Sequence, residues 1–426
     1  MSTEPKPRRG WPLRLAGGLV GLGLTALWFI VTVGLLLDSR LDGAWEHSWI
    51  VMALLYFIPL FWLAWKRVAV FGSWPRVAAG AAVLALATAW LAWDDREFEQ
   101  RITLDDLSPP AGPDAAESHA VTLWYTEGAG RTRRPFQSGK LAVRASPAEK
   151  PDEWRAEITR AREEIVAEWE ALAPEREWFA AMDAFPAIGD DATGGFDAPL
   201  MSFAPFRRVT MIGQARAGLL ALEGRGDEAA DILIRQLSVS AKLERNSRTL
   251  VRSMTAMVGL RNGIGAAEFV LRHATVSRAK RDELAAVLRD RDPRKVARRV
   301  VWADFINLRA AMLEQPGEVK GLLRSELGAV GSLLSVARPV VFLPRATANT
   351  IGRHLERIEA AASAGDLARV KALHTEWTAV LAEGGPKNFG GRFLISLAQP
   401  HLTPVVERNW QIEAERLALL EGLNPE

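Results

Sequence analysis

Two regimes of hydrophobic patterning meet near residue 93. Before that point the apolar residues come in long runs. Leu15 to Leu37, Trp49 to Trp65 and Val77 to Trp93 contain no Asp, Glu, Lys, Arg or His. At about 1.5 Å per residue the first run crosses a hydrocarbon core of about 30 Å, and the other two fall at the short end of the spanning range. Trp11, Trp45, Trp49, Trp65, Trp74, Trp90 and Trp93 stand near the ends of the runs, as interfacial anchors do. Three transmembrane helices are therefore predicted over residues 15–37, 49–65 and 77–93. The first is read as an uncleaved anchor, because it is longer than a signal-peptide core and no clear A-x-A site follows it. Gly17 and Gly21 form a GxxxG pair, and Ala78, Ala82 and Ala85 give the third run a small face. Both are read as packing surfaces among the three helices.

After residue 93 the pattern becomes periodic. Residues 94–148 are irregular, broken at Ser108 to Pro113 and Gly128 to Pro135; Asp114 to Glu127 reads as a helix, although Val121 to Tyr125 reads equally as a short strand. From Asp152 onward Trp154, Ile158, Ala161, Ile165, Trp169 and Leu172 recur at helical spacing and make one apolar stripe, closed at Pro174. Further helices are predicted from about Phe206 to Leu222, then through Ala230, Leu233, Leu237 and Ala241. The next starts at a Ser247 cap and carries Leu250, Met254, Met257, Ile264, Ala267 and Leu271. Another starts at a Ser277 cap, with Leu284, Val287 and Leu288 inward. Asp292-Pro293 pairs a capping acid with proline at the first helical position and opens a helix to about Leu313. Two more are expected between Glu318 and Ala362, one over Leu367 to Leu381, and one opened by Thr403-Pro404 with Val406, Trp410, Ala414 and Leu417 on its apolar face. The expected fold is all-α: three membrane helices followed by a multi-helix domain, residues 149–426, of antiparallel helix pairs.

Two turns share a pattern. Residues 221–230 and 362–368 both place Gly-Asp-x-Ala, or Gly-Asp-Leu-Ala, between helices. This resembles the turn of tetratricopeptide-like helix pairs, in which Gly allows the bend and Asp caps the following helix. The resemblance covers residues 205–275 and 350–382, with no fixed 34-residue period. The layout also resembles that of uncharacterised bacterial membrane-anchored helical proteins, and brings no activity with it.

Charge adds an orientation. The amino terminus, residues 1–14, carries Lys6, Arg8, Arg9 and Arg14 against Glu4, and the second loop carries Lys66, Arg67 and Arg76 with no acid. The first loop has Asp38, Asp42 and Glu46 against Arg40, and Asp94, Asp95, Glu97 and Glu99 follow the third run. Basic flanks stay in the cytoplasm, so the amino terminus is placed inside and the carboxy-terminal bulk outside the inner membrane. The chain has a net charge of +2, yet residues 1–93 hold eight Lys/Arg and four Asp/Glu, leaving 45 and 47 for the remainder. The basic excess thus belongs to topology, and no nucleic-acid partner is expected. The absence of cysteine excludes disulfides, thiol nucleophiles and Cys-ligated metals.

Candidate chemistry is sparse. His47, His119, His273, His354, His374 and His401 show no metal-ligand spacing and are read as surface or helix-end residues. Ser277-Arg-Ala-Lys280 matches an SxxK pattern without its SxN and KTG companions, which favours a helix cap over a nucleophile. Asp190, Asp191 and Asp197 crowd one loop without EF-hand spacing and read as an acid-rich turn. Arg289, Arg291, Arg294, Lys295, Arg298 and Arg299 form a basic cluster interrupted by Asp290 and Asp292, read as a solvated helix face or as a surface for anionic lipid or an acidic partner. No catalytic, cofactor-binding or metal residues are expected. The function expected is a membrane-anchored scaffold that touches the lipid bilayer and binds a protein partner or a second copy. The rivals are an envelope enzyme with a dispersed site and an accessory subunit of a membrane complex.

Overall fold

The computed structural model describes residue 99 and residues 102–107, 143–189, 203–314, 343–382 and 402–423. The described residues are helical and contain no strand. No described helix is long and apolar enough to cross a membrane. The three runs predicted to span one, the loops that orient them, and the Asp114 to Glu127 segment lie outside the described residues.

Twelve described helices follow in order: α1 Leu104–Leu107, α2 Pro151–Arg160, α3 Arg162–Ala171, α4 Ala173–Ala184, α5 Phe203–Leu222, α6 Gly226–Arg245, α7 Leu250–His273, α8 Arg278–Arg289, α9 Pro293–Glu314, α10 Pro344–Ala364, α11 Leu367–Ala382 and α12 Leu402–Leu423. The chain divides into two compact units. One comprises Met1–Gln100, Arg309–Arg353 and Glu376–Gln399; the other comprises Arg101–Leu308, His354–Thr375 and Pro400–Glu426. Within the first, the Glu99 backbone N–H donates to Oδ1 of buried Asn349 at 2.9 Å, and Arg353 meets the Glu99 carboxylate at 2.8 Å.

In the second unit α7 is the central element, packed by α5, α6 and α12. It is buried around most of its circumference, including Arg252, Ser253, Gly259 and Gly263 as well as its apolar positions. Arg252 Nη2 donates there to the backbone carbonyls of Ile188 and Gly189, at 3.2 and 3.1 Å. Trp154 of α2 lies edge-on to Phe269 of α7, ring centroids 5.0 Å apart. A second cluster joins Trp178, Phe179 and Met182 of α4 to Phe206, Val209 and Ile212 of α5 and to Val239 and Leu243 of α6.

The predicted stripe is buried as expected at Trp154, Ile158, Ala161, Ile165 and Leu172. The chain bends at Ala161, so two helices share the stripe, and Pro174 stands in the first turn of α4. Thr249, not Ser247, caps α7 by accepting from the Arg252 N–H, while Ser247 donates its hydroxyl to the Thr249 carbonyl. Met254 is exposed, because the inward side of that first turn is taken by Arg252 and Ser253.

The two similar turns differ in mechanism. At the second, Gly365 takes φ +74° and Asp366 accepts from the Arg369 N–H at 2.9 Å, as a bend and a cap should. At the first, the bend is at Gly224, φ +78°, and the helix restarts at Gly226 with no side-chain cap. Asp227 reaches instead across to the Ser277 N–H, 2.7 Å away, and so fastens the entry to α8. Gly226 sits against the Thr275 backbone, where any Cβ would strike the carbonyl oxygen.

The approach to α2 is held by one carboxylate. Glu157 accepts from the backbone N–H groups of Arg144 and Ala145, at 2.6 and 2.8 Å, and these bonds hold its pKa below the ordinary value. A depressed folded pKa means stabilisation that is complete above the usual glutamate range and lost as pH falls through the folded value. Protection of the Arg144 and Ala145 amides in hydrogen exchange is expected to decline over that acidic window, and to be weak at every pH in Glu157→Gln. Gly226→Ala is expected to destabilise by about 1–3 kcal/mol in urea unfolding, because backbone cannot yield to the added methyl.

Candidate functional site

Where α8 ends and α9 begins, four ionised side chains from distant parts of the chain are buried together. Arg291, in the three-residue connector, has 7% of its side chain exposed, and Glu244 of α6 has 4%. The pair is two-pronged: Nε donates to Glu244 Oε2 at 3.0 Å and Nη2 to Oε1 at 2.8 Å. The same guanidinium donates to Asn409 Oδ1 at 2.6 Å, to the Asn409 carbonyl at 3.4 Å and to Glu413 Oε2 at 3.3 Å. All five guanidinium N–H groups thus have acceptors. Glu413 is gripped in turn by Arg416, whose Nε and Nη2 lie 3.0 and 2.6 Å from its oxygens, and Arg416 Nη1 donates to the Leu288 carbonyl at 2.9 Å. Asn409 closes the ring through the Pro293 carbonyl at 2.9 Å. Two acids and two arginines compensate one another with neutral net charge.

The cluster supports a cavity of about 410 Å³ whose wall is drawn from α1, α6, α7, α8, the connector and α9. Its position follows from local rules. Asp292 caps α9 by accepting from the Arg294 and Lys295 N–H groups at 2.9 and 3.4 Å, which fixes the first turn. Lys295 and Arg299 are then one turn apart on the same face of α9, the face that lines the cavity. Arg298, beside them, reaches Glu359 of α10 at 3.4 Å, and Trp302 donates its indole N–H to the same carboxylate at 2.6 Å. On α1, Asp106 accepts from both the N–H and the hydroxyl of Thr103. Those bonds hold its pKa below the ordinary value.

Arg299 differs from the other cations. It is 5% exposed, its Nε is buried without a hydrogen-bond partner, and it forms no ion pair among the described residues. Burial pulls its pKa below the ordinary arginine value, against the attraction of Glu244. Leaving a buried charge uncompensated costs about 3–5 kcal/mol where it has been measured. Three acids of the cavity are bonded to other groups. Glu244 is committed to Arg291, Asp106 to Thr103 and Asp292 to the helix start. The arrangement can recognise negative charge.

The predicted basic cluster is therefore divided by the fold. Arg289, Arg294, Lys295 and Arg298 are exposed, Lys295 and Arg298 at the cavity wall, whereas Arg291 and Arg299 have buried side chains, since the connector and one face of α9 turn towards α6 and α12. Glu244, Asn409, Glu413 and Arg416 escaped the sequence reading, for nothing in a helical pattern marks a charged residue as inward. Ser277 caps α8, and Lys280 is held at 2.8 Å by both Asp231 and Glu283, which raise its pKa and keep it a cation. His273 ends α7, stacked on Phe269. His354, expected near the surface, is buried within α10, because its position falls on the inward side of that helix with Ile351 and Leu355. Asp190, Asp191, Asp197, His47, His119 and His401 lie outside the described residues. A smaller cavity of about 130 Å³ is lined by Arg176 and Arg235, with Arg176 4.6 Å over the Trp169 ring.

Comparison with protein-family models, with curated proteins and with solved structures gives no match to this chain.

Replacing Arg291 by Met leaves Glu244 and Glu413 buried without their shared counter-charge, and is expected to destabilise by about 3–5 kcal/mol in urea unfolding. Arg245→Met, at an exposed cation whose nearest acid is Asp290 at 3.9 Å, should change stability by less than about 1 kcal/mol.

Proposed function

We propose that this chain is a membrane-tethered binding protein and not an enzyme. Three amino-terminal spans, over residues 15–37, 49–65 and 77–93, hold it in the bacterial inner membrane with the amino terminus in the cytoplasm. The helical bulk stands outside and docks an acidic protein partner of the envelope, as a scaffold does. The observation that carries the reading is a buried cation in the cavity at the start of α9, Arg299, which has no ion pair among the described residues while Glu244, Asp106 and Asp292 are already bonded elsewhere. Such a site can attract a negatively charged group. The absence of ionisable residues within the three runs supports an anchoring role for them and argues against a conducting one.

Two measurements on the full chain in cells test this. Alkaline phosphatase fused after Glu426 is expected to be active and a green fluorescent protein fused there dark; the opposite pair would place the bulk in the cytoplasm and remove an envelope partner. A photo-crosslinking amino acid in place of exposed Arg245 is expected to yield one reproducible adduct, absent when the same residue replaces Glu163 on the distant α3. Equal labelling from both positions would count against docking at this face.

A further inference from the structure

Neighbouring arginines at the cavity are treated very differently by the fold. Arg291 has an acceptor for every N–H, and Arg416 is held by Glu413 and by the Leu288 carbonyl. Arg299 has neither an acceptor nor an ion pair among the described residues, although it is as thoroughly buried as they are. It forms part of the cavity wall, with Lys295 one turn before it on α9 and Arg245 at the end of α6. Of the other cations of that wall, Arg298 has its acid in Glu359 and Arg291 has Glu244 and Glu413, so among the buried ones it is Arg299 that is left without an ion pair among the described residues. Nothing in the packing of α9 itself calls for a cation at this position: Val296, Ala297 and Val300 bury the same helix with apolar groups alone.

We propose that the cavity is an oxyanion site, in which Arg299 receives a carboxylate or phosphoryl group of the ligand and Lys295 and Arg245 flank it. The inference deepens the binding reading and rests on it for its setting. A planar guanidinium matches both oxyanions, offering two parallel N–H groups to two oxygens. The 410 Å³ volume admits a small organic acid, or the acidic end of a larger ligand, and is in the usual range of ligand cavities. The Arg291 cluster holds Glu244 away from Arg299 by occupying both of its oxygens, and so keeps the cation available. Burial lowers the pKa of Arg299, against the attraction of Glu244 and Asp292.

The test uses the full chain purified in detergent, with sodium phosphate and sodium succinate as probes against sodium chloride at matched ionic strength. Isothermal titration is expected to show saturable binding of at least one probe, weakened tenfold or more by Arg299→Met and less by Arg299→Lys. In chloride alone, Arg299→Met is expected to melt at or above the wild-type temperature, since it removes an uncompensated buried charge and keeps the side-chain volume. Binding of phosphate alone assigns the group as phosphoryl, binding of succinate alone as carboxylate, and binding of both supports the shared chemistry. No saturable binding of either probe, binding undiminished in Arg299→Met, or an Arg299→Met protein that melts well below wild type or fails to fold overturns the proposal. A saturable anion response without a cross-linked adduct at position 245 keeps the site and removes the docking reading; an adduct without the anion response does the reverse.

Discussion

Burying an ion in a helical interior removes it from water, and the structure around α12 is organised by how that loss is compensated. Glu244, Arg291, Glu413 and Arg416 alternate in sign, and each is bonded to the next. Desolvation of this kind is recovered only when geometry is good and the remaining donors and acceptors are filled. Here they are filled, by Asn409, the Pro293 carbonyl and the Leu288 carbonyl. The arrangement contributes more to register than to net stability. If α12 slid by one turn against α8, Arg291 would lose Asn409 and Glu413 together while still buried. An apolar interface would tolerate such a shift with little penalty, whereas this one specifies a single alignment.

That alignment gives the cavity its walls. The connector between α8 and α9 is fixed by Arg291 on one side and by the Asp292 cap on the other, so the first two turns of α9 present Lys295 and Arg299 at set positions. Farther along α9, Trp302 and Arg298 share Glu359, which steadies the helix without drawing on the cavity acids. The contrast between a saturated Arg291 and an unfilled Arg299 thus arises within eight residues, through the ordering of acceptors on α6 and α12.

Much of the helical layout could be read from side-chain periodicity. The stripe from Trp154 to Leu172, the Ser277 cap, the Asp292-Pro293 start and the Gly365-Asp366 turn all depend on interactions within one turn of the chain, which sequence displays directly. The readings that failed depend on remote partners. The phase of α12 was set on Val406, Trp410, Ala414 and Leu417, yet Ala414 and Leu417 face solvent and Asn409, Glu413 and Arg416 face inward. A hydrophobicity rule rotates such a helix the wrong way, because its buried side is partly ionic. Asp227 was expected to cap its own helix and serves the next one, fifty residues on. The basic cluster at residues 289–299 was visible as a composition, and which two of its arginines are buried was not, since that depends on Glu244 and Glu413, tens to more than a hundred residues away.

The ionic cluster also imposes an order of assembly. Glu244 and Arg291 are 47 residues apart, but Arg291 and Glu413 are separated by 122 and Leu288 and Arg416 by 128. During synthesis α5 to α9 emerge well before α12, and they can pair locally while the connector still faces water. In that interval Arg291 has only one of its acids, and Leu288 has an open carbonyl. The arrival of α12 is therefore a late closing step, slow because of the long loop it completes. A ribosome-bound chain arrested short of α12 would hold a hydrated, loosely walled precursor of the cavity.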